Sequence, residues 1–164
     1  MLFRSIIPGG ESTTMSKLLK KFKLDKAIKI AAKNGLVIWG SCAGAILLGN
    51  CNDPKVDSLN LINVEIERNG YGRQLDSFET EIDFNKNKIP GIFIRAPKIK
   101  NLPFDTKKLA THKEEIIAAE TGRIIVSTFH PELTDDLSFH QYFLDYCSSF
   151  GPFATKRGNA SLKS

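Results

Sequence analysis

Three cysteines, Cys42, Cys51 and Cys147, are too few, odd in number and too irregularly spaced for a disulfide framework or a thiolate metal site. Reduced thiols fit an intracellular compartment. The chain also lacks any apolar run approaching the roughly 18 residues that a membrane-spanning helix needs. Met1-Leu2-Phe3-Arg4 runs at once into Pro8-Gly9-Gly10, which is not the pattern of a secretory leader, so a cytoplasmic protein is expected. Internal repeats and low-complexity tracts are absent, and 164 residues of ordinary apolar and charged content make one domain with a real core. A net charge of +5 gathers in part at Lys17, Lys20, Lys21 and Lys23 and at Arg95, Lys98 and Lys100. Aromatic residues do not interleave these clusters, so they read as solvated faces rather than a nucleic-acid surface.

What is present centres on residues 36–48, Leu-Val-Ile-Trp-Gly-Ser-Cys-Ala-Gly-Ala-Ile-Leu-Leu, a buried strand running through a tight corner into a buried helix. Gly40 and Gly44 flank Cys42 at the spacing of a nucleophile elbow, where side chains would collide with the adjoining strand and helix. A helix N-terminus at Cys42 favours negative charge on the sulfur. Taken alone, the pentapeptide also suits a small buried cysteine between packing glycines.

Residues 2–7 predict a strand, ending at Pro8-Gly9-Gly10-Glu11-Ser12-Thr13-Thr14, where Ser12 or Thr13 can cap the next helix and the glycines can bring backbone N–H groups to a ligand. Helices are expected over 15–22 and 25–34, a strand over 36–40 and a helix over 43–49, the alternation of an α/β fold with a parallel sheet. In such folds ligands gather at the carboxyl ends of strands, where Gly10 and Cys42 both lie. Further strands are expected over 61–67, 77–84 and 91–97, then a meander from 108 with turns at Lys113-Glu114 and Thr121-Gly122, ending in a central strand over 124–129. Between the first two of these lies Arg68-Asn69-Gly70-Tyr71-Gly72-Arg73-Gln74, whose arginines can hold a carboxylate or form surface ion pairs.

His130-Pro131-Glu132 follows the central strand. A histidine with a carboxylate two residues on, joined by a stiff proline, can be a base and the group that orients it, which with Cys42 makes a candidate Cys-His-Glu triad. Asp135 or Asp136 is expected to cap a last helix to about Tyr146 that turns Phe139, Tyr142 and Phe143 inward. His112 and His140 have no evident partners, and residues 151–164 read as a flexible tail after a domain over 1–150.

The segments around Pro8-Gly9-Gly10-Glu11-Ser12-Thr13, Trp39-Gly40-Ser41-Cys42-Ala43-Gly44, Glu67-Arg68-Asn69-Gly70-Tyr71-Gly72-Arg73-Gln74-Leu75-Asp76-Ser77-Phe78-Glu79, Phe93-Ile94-Arg95-Ala96-Pro97 and Ser127-Thr128-Phe129-His130-Pro131-Glu132 closely resemble the glutaminase subunits of pyridoxal 5′-phosphate synthase. The corner and His-Pro-Glu are shared with the wider class I glutamine amidotransferases, whereas the long block from Glu67 is particular to this subfamily. The resemblance implies a flavodoxin-like three-layer sandwich with a mostly parallel central sheet. It implies hydrolysis of L-glutamine through a glutamyl thioester, without metal or cofactor, the ammonia passing to a separate (β/α)₈ synthase subunit. It assigns Cys42 as nucleophile, His130 as base and then acid, and Glu132 as orienting carboxylate. Gly10 and Ala43 would form the oxyanion hole, and Gly10, Glu11, Ser12, Arg68, Ile94 and Arg95 would bind glutamine. Ser41 stands where the family more often has Thr. The family pattern carries a further strand, a Leu-Gln-Gly loop and a helix ahead of Pro-Gly-Gly, whereas Met1 here falls a few residues before Pro8. That departure motivates a second expectation, a truncated and catalytically inactive partner-binding or regulatory subunit. A cysteine hydrolase acting on another amide is a third.

Overall fold

The computed structural model describes residues 4–72 and 77–151. The expected tail beyond Gly151, residues 2 and 3 of the first strand, and Arg73 and Gln74 of the polar loop lie outside the described residues.

The chain runs β1 (Arg4–Ile7), α1 (Ser12–Lys21), α2 (Leu24–Lys33), β2 (Val37–Ser41), α3 (Ala43–Leu48), β3 (Glu65–Glu67), β4 (Ser77–Phe84), β5 (Asn87–Ile94), β6 (Lys98–Asn101), β7 (Lys107–His112), β8 (Glu115–Thr121), β9 (Ile124–Ser127) and α4 (Ser138–Ser149). Seven strands form one sheet in the order β1-β2-β9-β8-β7-β4-β5, and β3 pairs with β6 in a separate antiparallel ribbon. The expectation of a mostly parallel sheet is corrected here. β1-β2 and β2-β9 are parallel, while the other four neighbouring pairs are antiparallel. The cause is local. Asn85-Lys86 and Lys113-Glu114 are two-residue turns with φ positive at both positions, 48° and 65° in the first and 45° and 67° in the second, the geometry that closes tight hairpins. Strands joined this way can only run antiparallel.

The parallel part positions the site. Ile7 pairs with Gly40, and Ser41 with Ser127, so the carboxyl ends of β1, β2 and β9 come level along one rim of the sheet. Alternation along β2 sends Trp39 to one face and Ile38 to the other, and both are buried. On the Trp39 side, Phe129, Ile125 and Val37 pack with Phe139, Phe143 and Cys147 of α4. On the Ile38 side, Val126 and Ile124 pack with Ala45 to Leu48 of α3, and α1 lies against α3. A strand buried on both faces reads as a continuous apolar run, which is why residues 36–39 do not alternate. β1 and β5 are the edge strands of this sheet among the described residues, and Ile6 of β1 is 46% exposed. No described helix is long and apolar enough to cross a membrane.

Four local expectations differ. Glu11, not Ser12 or Thr13, is the N-cap of α1. The strand expected over 61–67 shrinks to β3, because the preceding backbone is engaged elsewhere: Leu59 N–H donates to Leu47 O at 2.6 Å and Leu61 N–H to Leu48 O at 2.8 Å, capping the end of α3. β6 forms directly after Pro97, where the sequence signals no strand. At the last helix the N-cap is Leu137 rather than Asp135 or Asp136, although Asp136 Oδ1, one residue earlier, accepts from Ser138 N–H at 2.9 Å.

Phe139 is 1% exposed and its ring centroid lies 5.1 Å from that of Trp39 and 5.3 Å from that of Phe129. Phe139→Ala is expected to destabilise the fold by about 3–5 kcal/mol in a urea titration, whereas a loss below about 1 kcal/mol would mean that α4 does not anchor this face.

Candidate active site

Cys42 holds φ 50° and ψ −105°, a strained conformation for a residue with a side chain. It persists because its surroundings dictate it. Cys42 N–H donates to Ser127 O at 2.8 Å, its carbonyl accepts from Ile46 N–H at 3.2 Å, and the two anchors lie on β9 and α3. The neighbouring glycines are obligatory. A Cβ on Gly40 would sit 2.5 Å from the Gly44 carbonyl oxygen, and one on Gly44 would overlap the carbonyl of Ile7 in β1. Ser41 Oγ donates to Phe129 O at 3.1 Å, tying the corner to the segment that carries the histidine. Cys42 Sγ lies 3.9 Å from Ile94 O.

His130 emerges from the rim just past β9. Its N–H donates to Ile92 O at 2.8 Å, and Thr128 N–H donates to Ile117 O at 2.9 Å, so the link from β9 is held on both sides. A single 3₁₀ turn over Pro131–Leu133 swings Glu132 back until Oε1 lies 2.7 Å from His130 Nδ1. With Nδ1 taken by Glu132, Nε2 remains for the hydrogen bond to Cys42. That bond, with the Glu132 carboxylate behind it, pushes His130 up to about 9 despite its burial. For Glu132, burial works upward, but the His130 hydrogen bond outweighs it and holds the carboxyl below its ordinary range. A Cβ on Gly9 would overlap the imidazole Cε1, so the Pro-Gly-Gly turn has a glycine where the ring needs room.

Cys42 and His130 open on a cavity of about 450 Å³, walled also by Gly10, Ala43, Glu11, Ser12, Arg68, Ile94 and Arg95. Each residue assigned from the family resemblance therefore lines this one space, except Glu132, which stands behind His130. Two lining residues were not anticipated. Ile46 is one helical turn beyond Cys42, a position that the 3.6-residue period of α3 would have indicated. Asn69, at φ 57°, has no local signal marking it.

Arg68, one of two arginines in the cavity wall, is doubly held. Arg68 Nη2 donates to Glu11 Oε1 at 3.0 Å and Nη1 donates to Asp53 Oδ2 at 2.9 Å. Glu11 accepts in addition from Thr14 N–H at 2.7 Å, Thr14 Oγ1 at 2.7 Å, Thr13 N–H at 3.1 Å and the Thr13 hydroxyl. The Thr13 hydroxyl first, then Thr14, draws its carboxyl down to about 2, so it stays anionic beside Arg68. Among the described residues no three His, Cys, Asp or Glu side chains are grouped to hold a metal ion, and Cys42, Cys51 and Cys147 are all free thiols.

A buried thiol bonded to a histidine that is bonded to a carboxylate, at the mouth of a cavity with an arginine, has the parts for acyl transfer to sulfur. Comparison with known proteins points the same way. Residues 4–149 match the model of the SNO glutamine amidotransferase family. The chain is 49% identical over 146 residues to the pyridoxal 5′-phosphate synthase subunit PdxT of Clostridium kluyveri, covering 87% of this chain and 78% of that protein. It is 48% identical over 145 residues to the PdxT subunit of Thermococcus onnurineus, covering 85% and 74%. Among solved structures, a glutamine amidotransferase superposes with a TM-score of 0.83 at 35% identity, over 88% of this chain and 78% of that one. A putative GMP synthase component from Thermoplasma acidophilum, at TM-score 0.60 and 18% identity over 90% and 73%, shares the fold. With nearly all of its described length inside the family model and relatives of such identity in both organisms, the chain belongs to the SNO glutamine amidotransferase family.

Proposed function

We propose that this chain is the glutaminase component of a pyridoxal 5′-phosphate synthase, releasing ammonia from L-glutamine for a separate (β/α)₈ synthase subunit. The relatives named for that enzyme support the assignment. The observation that carries it at the level of chemistry is the Cys42–His130–Glu132 chain of hydrogen bonds facing a cavity with Arg68 in its wall. A cytoplasmic setting accords with the free thiols.

In this reading Arg68 and Glu11 hold the charged end of glutamine, and the carboxamide reaches Cys42. His130 Nε2 takes the thiol proton, and sulfur attacks the amide carbon. The backbone N–H groups of Gly10 and Ala43 stabilise the oxyanion, a contribution worth about 3 kcal/mol per donor in comparable sites. Imidazolium then gives its proton to the departing nitrogen, the C–N bond breaks, and ammonia leaves a glutamyl thioester on Cys42. Neutral His130 next takes a proton from water, hydroxide adds to the thioester, and the C–S bond breaks to give glutamate and the thiol. The hydrogen bonds to Cys42 and Glu132 that raise His130 favour the ring once it holds the thiol proton, which suits the later donation of that proton to the departing nitrogen. Glu132 keeps Nδ1 as the donor to itself and leaves Nε2 toward the sulfur.

Ammonia release from glutamine, assayed for the chain with its synthase partner, is expected to fall at least about 1,000-fold in Cys42→Ala. Partner binding without any release by the wild type would instead favour the partner-binding or regulatory role. Because His130 is raised from about 6.5 to about 9 on folding, its contribution to stability is complete below pH 6.5 and is lost as pH climbs through 9. Glu132→Gln removes one cause of the rise, so the unfolding free energy is expected to decline less between about pH 6.5 and 9.5 than in the wild type; parallel curves would show that Glu132 does not set the histidine's protonation.

A further inference from the structure

Arg68 forms the partition between two cavities. On one side is the site just described; on the other is a smaller space of about 310 Å³ lined by Asp53, Glu67 and Lys100 among others. Asp53 lines only the second. It is nevertheless the less exposed of the two carboxylates on Arg68. Its Oδ1 accepts from Lys55 N–H at 2.9 Å while Oδ2 takes Arg68 Nη1 at 2.9 Å, so one carboxylate braces the loop after α3 and the guanidinium together. Arg68 and Asp53 side chains are 23% and 25% exposed, against 52% for Glu11. The Lys55 N–H first, and Arg68 second, hold the Asp53 carboxyl below its ordinary range.

The geometry divides the guanidinium between two duties. Nη1 is occupied by Asp53, which stands outside the site; Nη2 is shared with the more exposed Glu11, which lines it. An arginine side chain carries several freely rotating bonds, and immobilising it beforehand removes that entropy cost from substrate binding. We infer that Asp53 is a positioning residue for glutamine recognition, which fixes Arg68 by its outward edge so that the inward edge is presented to the substrate's α-carboxylate. The inference rests on the glutaminase reading above and on Arg68 receiving the charged end of the substrate. Asp53 touches neither the thiol nor the cavity, so its effect falls on substrate binding and leaves the acyl-transfer steps alone.

The test is steady-state ammonia release by the full chain with its synthase partner, comparing wild type with Asp53→Ala, Asp53→Asn and Asp53→Glu. Asp53→Ala is expected to raise KM for L-glutamine about fivefold to tenfold with kcat held within about twofold, as for loss of one charge-assisted hydrogen bond. Asp53→Glu, which keeps the charge, is expected to restore KM to within about threefold of wild type. Asp53→Asn keeps an oxygen for Lys55 N–H and so keeps the loop, yet it is expected to raise KM in the same direction; it decides the matter if Asp53→Ala fails to fold. A second substrate separates recognition from general damage. The α-methyl ester of L-glutamine lacks the carboxylate, so its kcat/KM is expected to be equal in wild type and Asp53→Asn. An unchanged KM for glutamine, a fall in kcat alone, or an equal loss on the ester would each overturn the inference. A wild-type complex that releases no ammonia from glutamine would overturn the glutaminase reading itself, a result distinct from all of these.

Discussion

The contact between Gly44 at the start of α3 and the carbonyl of Ile7 at the end of β1 leaves no space for even one methyl group, and the site is built outward from it. α3 can lie that close to β1 only because it turns off β2 abruptly at Cys42, and the abrupt turn forces Cys42 into positive φ. Such strain is stable only when every neighbour is committed. Here the commitments are the Cys42 N–H on Ser127, the Ser41 hydroxyl on Phe129, and a sheet whose three parallel strands end level. Loosening any one would let the sulfur retreat into the core, so the packing of Ile38, Leu47 and Val126 beneath it belongs to the function as much as to the fold.

Two electrostatic systems meet at this rim and are kept apart by the cavity. In one, Glu132, His130 and Cys42 are joined in a line of hydrogen bonds. In the other, Glu11 and Asp53 neutralise Arg68 from opposite ends. Glu11 does double duty, since the carboxylate that caps α1 is the one that meets Arg68, and the helix end therefore helps to set where the cation stands. An anionic cap at a helix N-terminus is favourable in its own right. A site of fixed charges on rigid elements needs little rearrangement when substrate charge arrives.

The local parts of this protein were legible in the amino-acid order because local sterics leave few options. Gly40 and Gly44 around Cys42 announce a corner, Lys113-Glu114 and Thr121-Gly122 announce turns, and the apolar run over 36–39 announces a strand buried on both faces. His130-Pro131-Glu132 is likewise local, since a short rigid link brings a carboxylate back to an imidazole almost wherever the chain leads it. The family resemblance named the cavity wall apart from Ile46 and Asn69, but it supplied identities rather than geometry.

What the tertiary structure alone decided is every relation between distant residues. That the antiparallel hairpins join the parallel strands in one sheet, that β6 exists because β3 offers it an edge, and that Leu59 and Leu61 cap α3 instead of extending a strand all depend on which backbone groups find partners in space. Asp53 is the clearest case. In the sequence it is one more acidic residue in a loop before a proline; in the fold it lies 15 positions from Arg68 along the chain and in direct contact with it. Sequence by itself determined the chemical groups and the turns that aim them, because those follow from bonds a few residues long. The pairings among them required the folded chain, because attraction between charges depends on distance in space, and distance in space is what folding sets.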